Sequence, residues 1–252
     1  MEFNAYLAEL FDKSHPWDAW QTGGNLWIYR FALAKVRGGK YLPCPIRGGD
    51  DIERLYAENG LKITGKDSHG RPLVNGKDTA TPLPGVVYEV TFHTLDYHRG
   101  QYETLSDRSN LAAADMNRTW ELGFARLDSV LKWNTSMSAR MQKTKWYWSY
   151  ESGTGTDDDL GIMGVGDASK VLATVLDISK AFVAKSNPLG IVIGTKTEAK
   201  DARGRIYAGM ASRNAGKVIP IPYPPRAGMK HGNMIWFDKT RQFDPVAKYA
   251  TT

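Results

Sequence analysis

The segment from Leu160 to Phe182, LGIMGVGDASKVLATVLDISKAF, sets Gly164 and Gly166 directly ahead of a run whose apolar residues recur at helical spacing. Glycines let a backbone approach a ligand closely, and the unsatisfied N–H groups at a helix N-terminus attract an anion. The backbone of Gly164, Val165, Gly166 and Asp167 is therefore either a phosphate cradle or a tight turn into a buried helix. Lys170, one turn further on, and Arg203 and Arg205 beyond it would supply cations for the same anion. Asp157, Asp158 and Asp159 stand just upstream and oppose it by simple Coulomb repulsion.

Other residues could do different chemistry. The five histidines are His15, His69, His93, His98 and His231, and none stands at zinc-ligand spacing from another histidine or from the lone cysteine. No metal site is expected. His93 and His98 flank the end of a strand, where a general base or an ordinary loop histidine is expected. Glu121 and Glu151 on central strands are the candidate carboxylates for proton abstraction. There is no GxSxG elbow and no Walker loop.

The stretch KTKWYWSY alternates Trp146 and Trp148 with Tyr147 and Tyr150 beside Lys143 and Lys145. Rings next to cations suit nucleic-acid stacking, although core packing of one strand face accounts for one alternate set. Trp17, Trp20, Trp27 and Tyr29 form a second group, read as an exposed anchor for a partner or as core. Cys44, between two prolines, reads as a small buried residue rather than a nucleophile.

The chain has 252 residues, 42% hydrophobic and 24% charged, a globular composition. Eight Trp and twelve Tyr favour a β-rich fold or an interaction surface. A single cysteine forms no internal disulfide and suits a reducing compartment. No signal peptide and no eighteen-residue apolar run is evident, so a soluble protein without membrane contact is expected, cytoplasmic or carried inside a particle assembled there. The net charge of +6 is uneven, because residues 196–252 hold eleven Lys and Arg against four Asp and Glu. A basic C-terminal segment invites an anionic partner, either a phosphate-bearing small molecule or nucleic acid.

These residues must be carried by elements that the patterning predicts. A short N-terminal helix ends before Pro16. NLWIYRFALAKV and KYLPCPI read as strands, and DDIERLYAEN as a helix closed by Gly60. Asn59 to Gly85 is polar, with a turn signal at Asn75-Gly76, and marks a boundary between an N-terminal extension (1–85) and a main domain (86–252). Strands are expected at 86–95, 119–127 and 144–152, with a short helix capped by Ser106 or Asp107 between the first two. A long helix follows, burying Val171, Leu172, Val175, Ile178 and Phe182, and Pro188 stops it. LGIVIG is a strand buried on both faces, and a second helix runs to Gly216. KVIPIPYPP and NMIWFD supply closing strands before or around an extended Pro-rich basic arm. The fold class is α+β, with a mostly antiparallel mixed sheet flanked by two main helices.

The order of strand, glycine turn, long helix, buried strand, second helix and closing strands resembles the GCN5-related N-acetyltransferase (GNAT) superfamily over roughly residues 86–240. GIMGVGDA matches the x-x-Gly-x-Gly part of that family's coenzyme-binding turn through Ile162 to Gly166. The family's leading Gln or Arg falls on Gly161. The resemblance implies that Gly164, Val165, Gly166 and Asp167, with Lys170 and Arg203, bind the pyrophosphate of acetyl-coenzyme A. It also implies that Tyr207 in RIYAGM protonates the leaving thiolate. GVGDASKVLATV and ARGRIY further resemble proteins of tailed bacteriophages, some of which are GNAT-like. That likeness implies a non-enzymatic virion or accessory protein, with phage structural proteins, a second copy of the chain or nucleic acid as partner.

Overall fold

The computed structural model describes residues 14–46, 51–68, 72–75, 82–95, 113–133, 146–150, 168–195, 216–221 and 231–240. Along them run strands β1 (Asp18–Gln21), β2 (Leu26–Lys35) and β3 (Tyr41–Cys44), helix α1 (Asp51–Glu58), and strands β4 (Ile63–Lys66), β5 (Pro72–Val74), β6 (Leu83–Thr94), β7 (Thr119–Trp133) and β8 (Trp146–Tyr150). Helix α2 (Ala168–Ser186) and strands β9 (Gly190–Thr195), β10 (Lys217–Ile221) and β11 (His231–Trp236) follow.

Among the described residues, nine strands form one sheet in the order β1-β2-β6-β7-β9-β11-β10, with β3 also on β2 and β8 also on β7. Asn25 and Arg30 on the β2 side meet Thr94 and Glu89 of β6 respectively, so those strands run antiparallel. The β7–β9 pair is parallel, whereas β9–β11 and β11–β10 are antiparallel. The protein is therefore α+β with a large mixed sheet. A parallel pair needs a crossover connection, and α2 lies in the chain between β7 and β9.

The chain divides into two compact units that interleave in sequence. The first comprises Met1–Trp20, Tyr29–Glu89 and Phe124–Val175. Its core holds Ile52, Leu55 and Tyr56 of α1 with Ala32, Ala34, Val87, Leu131, Trp146 and Trp148. Helix α1 stops where the sequence predicts. Gly60 takes φ 71°, its N–H reaches the Ala57 carbonyl and the Leu61 N–H reaches Tyr56, which satisfies the last carbonyls of the helix. Asn75, after β5, also sits at positive φ and is zipped to Lys62 through both its backbone N–H and its side chain. Phe31, Tyr88 and Phe124 stack in a row, with centroids 4.8 and 5.5 Å apart.

Trp146 and Trp148 are a correction. Strand alternation turns both inward, where Trp146 packs on Tyr56 and Trp133, and leaves Tyr147 exposed. The two rings named as a nucleic-acid platform are core residues. Of the N-terminal aromatic group, Tyr29 is likewise core, Trp17 is half-buried against it, and Trp20 is exposed. Cys44 is buried, as expected.

The second unit comprises Gln21–Ile28, Val90–Gly123 and Leu176–Thr252. Phe182 of α2 lies flat on Phe92, with centroids 3.9 Å apart, and receives the edges of Trp27 and Trp120. Such ring pairs add about 0.5–1.5 kcal/mol each beyond area burial. Val171, Val175, Ile178 and Phe182 are buried as the periodicity predicts, but Leu172 is only half-buried. Asn187 at φ 46° and Pro188 end α2, and the Asn187 N–H bonds the Val183 carbonyl. Ile191, Val192 and Ile193 are all buried, as a strand covered on both faces requires. Pro220 falls on the edge strand β10, where a missing N–H is tolerated. The described part of the helix expected after the first antiparallel strand is a 3-10 turn at Ala113–Arg118. The N-terminal helix, the helix before Gly216 and the Pro-rich arm lie outside the described residues.

Candidate active site

Within the second unit, the aromatic side of β7 is fixed by Trp120 and Leu122, which pack on the α2 side with Phe182 and Ser179. Side chains alternate along a strand, so Glu121 and Gly123 point to the opposite face. On β6, Phe92 faces Phe182, which puts Thr91 and His93 on that same opposite face. The antiparallel register then sets His93 across from Glu121 and Thr91 across from Gly123.

His93 Nε2 and Glu121 Oε2 are 2.8 Å apart. Their side chains are 12% and 4% exposed, so the imidazole is the outer partner and the carboxylate the inner one. An ionised carboxylate only accepts, so Nε2–H donates to it. A carboxylate this deep is expensive to desolvate, and the imidazole donor offsets that cost. A buried carboxylate that orients an imidazole is the arrangement that makes a histidine an effective general base.

The pair stands at the last rung of the β7–β9 ladder among the described residues. The β7–β9 ladder covers Thr119↔Gly190, Trp120↔Ile191 and Glu121↔Val192, and among the described residues goes no further. Both strands continue, β9 to Thr195 along β11 and β7 to Trp133 along β8. The Leu189 N–H holds the Arg118 carbonyl and the Phe237 N–H holds the Leu189 carbonyl, which clamps the start of the ladder. Val192, beside Glu121, belongs to an apolar cluster with Leu95, Met116, Met234 and Trp236. On the α2 side, a cavity of about 10 Å³ among Leu122, Ser179, Val183, Ile191 and Ile235 is too small for more than a water.

Of the sequence-predicted site residues, Gly164, Val165, Gly166, Asp167, Arg203 and Tyr207 lie outside the described residues, as do Glu151 and His98. Lys170 is in the first turn of α2, half-buried, and its carbonyl accepts the Thr174 hydroxyl. His15 is buried, stacked on Phe31, and its backbone N–H donates to the same hydroxyl of Thr174. His93 and Glu121, two separate candidates in the sequence, are brought together. Among the described residues no group of three His, Cys, Asp or Glu could hold a metal ion, and no helix is long and apolar enough to cross a membrane.

No family model, no curated protein and no solved structure matches the chain.

Proposed function

We propose that the chain is a divergent GNAT-like N-acyltransferase that moves an acyl group from acyl-coenzyme A to an amine. The observation that carries this reading is the His93–Glu121 contact at the point where the ladder between β7 and β9 stops. An acid–base pair beside backbone edges not used by the β7–β9 ladder suits a reaction that needs both proton abstraction and backbone hydrogen bonds to an extended donor. The strand order adds support, with the parallel β7–β9 pair separated in the chain by the long helix.

In this reading, His93 takes the proton of the acceptor amine and Glu121 holds the imidazole. The amine nitrogen then bonds to the thioester carbonyl carbon while the carbon–sulfur bond breaks. Tyr207 gives its proton to the departing thiolate. The backbone amides of Gly164 to Asp167, with Lys170 and Arg203, hold the pyrophosphate.

The test is calorimetric titration with acetyl-coenzyme A and with coenzyme A. Micromolar binding that disappears in Gly166→Asp supports the donor site, and absence of binding at millimolar ligand defeats it. A second reading, a virion or accessory protein bound to phage structural proteins or to its own copy, draws on the carboxylate of Asp167 in the proposed cradle and on the exposed Trp20 and Tyr147. It takes over on the negative outcome.

A further inference from the structure

The turn that joins β2 to β3, wholly within the first compact unit, carries three exposed cations, Lys35, Arg37 and Lys40. No acidic residue stands between Arg30 and Asp50. Arg30 and Arg126 are held by Glu89 and Asp128, whereas no ion pair among the described residues involves Lys35, Arg37 or Lys40. The turn is anchored at its base and open at its crest. Val36 is buried in the cluster around α1, and its N–H donates to the Lys40 carbonyl at 2.8 Å. Gly38 and Gly39 take positive φ, 79° and 77°, and a Cβ placed on either would meet nothing within 4 Å. The crest therefore has a backbone that glycine adopts without strain, no side chain of its own and free space around it. Lys35 pairs with Tyr41, and Val36 stands opposite Lys40. Opposite residues share a face, so the two lysines leave the ribbon on opposite faces, with Arg37 at the turn.

We propose that this hairpin tip is a contact for double-stranded DNA, entering the major groove and neutralising phosphates on both of its walls. The groove is about 12 Å wide and admits a two-stranded β-ribbon, whose strands lie about 4.8 Å apart. A crest of two glycines brings the backbone close to the groove floor, and cations on both faces of the ribbon meet both phosphate walls. Neutralised phosphates release their counterions, which binds the tip to DNA without any base being read. The crest has no apolar side chain to bury, unlike a loop that enters a lipid surface. It also has no exposed aromatic ring on which unpaired bases would stack, unlike a single-strand binder. Duplex RNA has a deep, narrow major groove that excludes side chains, so DNA is the duplex that fits. The tip shares no residue with the site proposed for acyl transfer, and the two stand or fall separately.

The test is fluorescence anisotropy of a labelled DNA duplex of about 20 base pairs, titrated with the full chain at about 50 to 200 mM salt. The expected result is saturable binding whose logarithm falls linearly with the logarithm of the salt concentration, by about 0.9 for each phosphate neutralised. Lys35→Gln, Arg37→Gln and Lys40→Gln made together should lower that slope by about 2.7, an about 40-fold smaller loss of affinity across the salt range. Each change alone should lower it by about one. The control combines Lys62→Gln, Lys66→Gln and Lys217→Gln, which removes the same charge from exposed positions elsewhere and should leave the slope near wild type. Thermal unfolding should be unchanged in both, as for other surface substitutions. Absence of binding at the lowest salt, or a control that lowers the slope as much as the hairpin variant, would overturn the proposal. Equal affinity for a double-stranded RNA of the same length would also overturn it. So would a hairpin variant that loses binding to phosphatidylglycerol vesicles while keeping its affinity for DNA, because the tip would then belong to a lipid surface.

Discussion

Strand β6 carries two ion pairs, one in each compact unit, and they are built for opposite ends. In the first unit, Glu89 takes Arg30 through both Nε and Nη2, at 2.7 and 2.6 Å, with the guanidinium 4.4 Å from the Trp20 ring centroid. In the second, Glu121 takes a single imidazole nitrogen of His93. Arginine does not surrender its proton in proteins, and its planar fork locks a carboxylate from two directions. Histidine is the side chain that exchanges a proton near neutral pH. The first pair fastens strands and the second can do work.

Substitutions separate the two. If the proposed acyl transfer holds, Glu121→Gln should cut it by about 10²–10⁴-fold while the fold persists, and Glu89→Gln should leave it near wild type, measured as kcat/KM with a fixed amine. Equal losses from both changes would erase the distinction. Next in size, Phe182→Ala should cost the second unit about 3–5 kcal/mol in denaturant unfolding, because four aromatic rings meet there. Glu89→Gln should cost about 1–3 kcal/mol, the penalty for breaking a half-buried charged hydrogen bond.

A pH effect should belong to the first unit. Burial pushes the Tyr29 hydroxyl from its ordinary 10.0 up to about 12, and burial also raises Tyr56 and Tyr88. The folded protein holds these groups neutral after the unfolded chain has begun to ionise. Their contribution is therefore intact below pH 10 and declines as pH rises to about 12. Tyr29→Phe should flatten part of that decline, read as the unfolding midpoint between pH 9 and 12, and Phe182→Ala should shift the curve without changing its slope. The smallest effect expected is from Tyr147→Ser, within about 0.5 kcal/mol, against several for Trp148→Ala on the same strand.

Much of the architecture was legible because it is local. Aromatic and branched residues marked β2, alternation marked β6, β7 and β8, helical spacing marked α2, and Gly60 and Pro188 marked the ends of α1 and α2. The candidate site was legible only as separate residues. His93 and Glu121 are 28 positions apart, and nothing short of the β6–β7 register says that they face each other. Glu121, polar between Trp120 and Leu122, showed its side by alternation, but its row opposite His93 was not deducible. Gly123 reads as a weak point of a strand until Thr91 is placed above it. Trp146 and Trp148 look like a platform until the alternation is given an inside, and α1 provides that inside.

The early end of the β7–β9 ladder also has a dynamic consequence. Between Glu121, the last partner of β9, and Ser129, the first partner of β8, one edge of the strand carries no ladder to any other of the described residues. Amides on that edge should trade their hydrogens with solvent much faster than those of Thr119 to Glu121, giving an island of rapid exchange within an otherwise protected strand. Anything extended enough to lie along it would behave, while bound, as a borrowed strand.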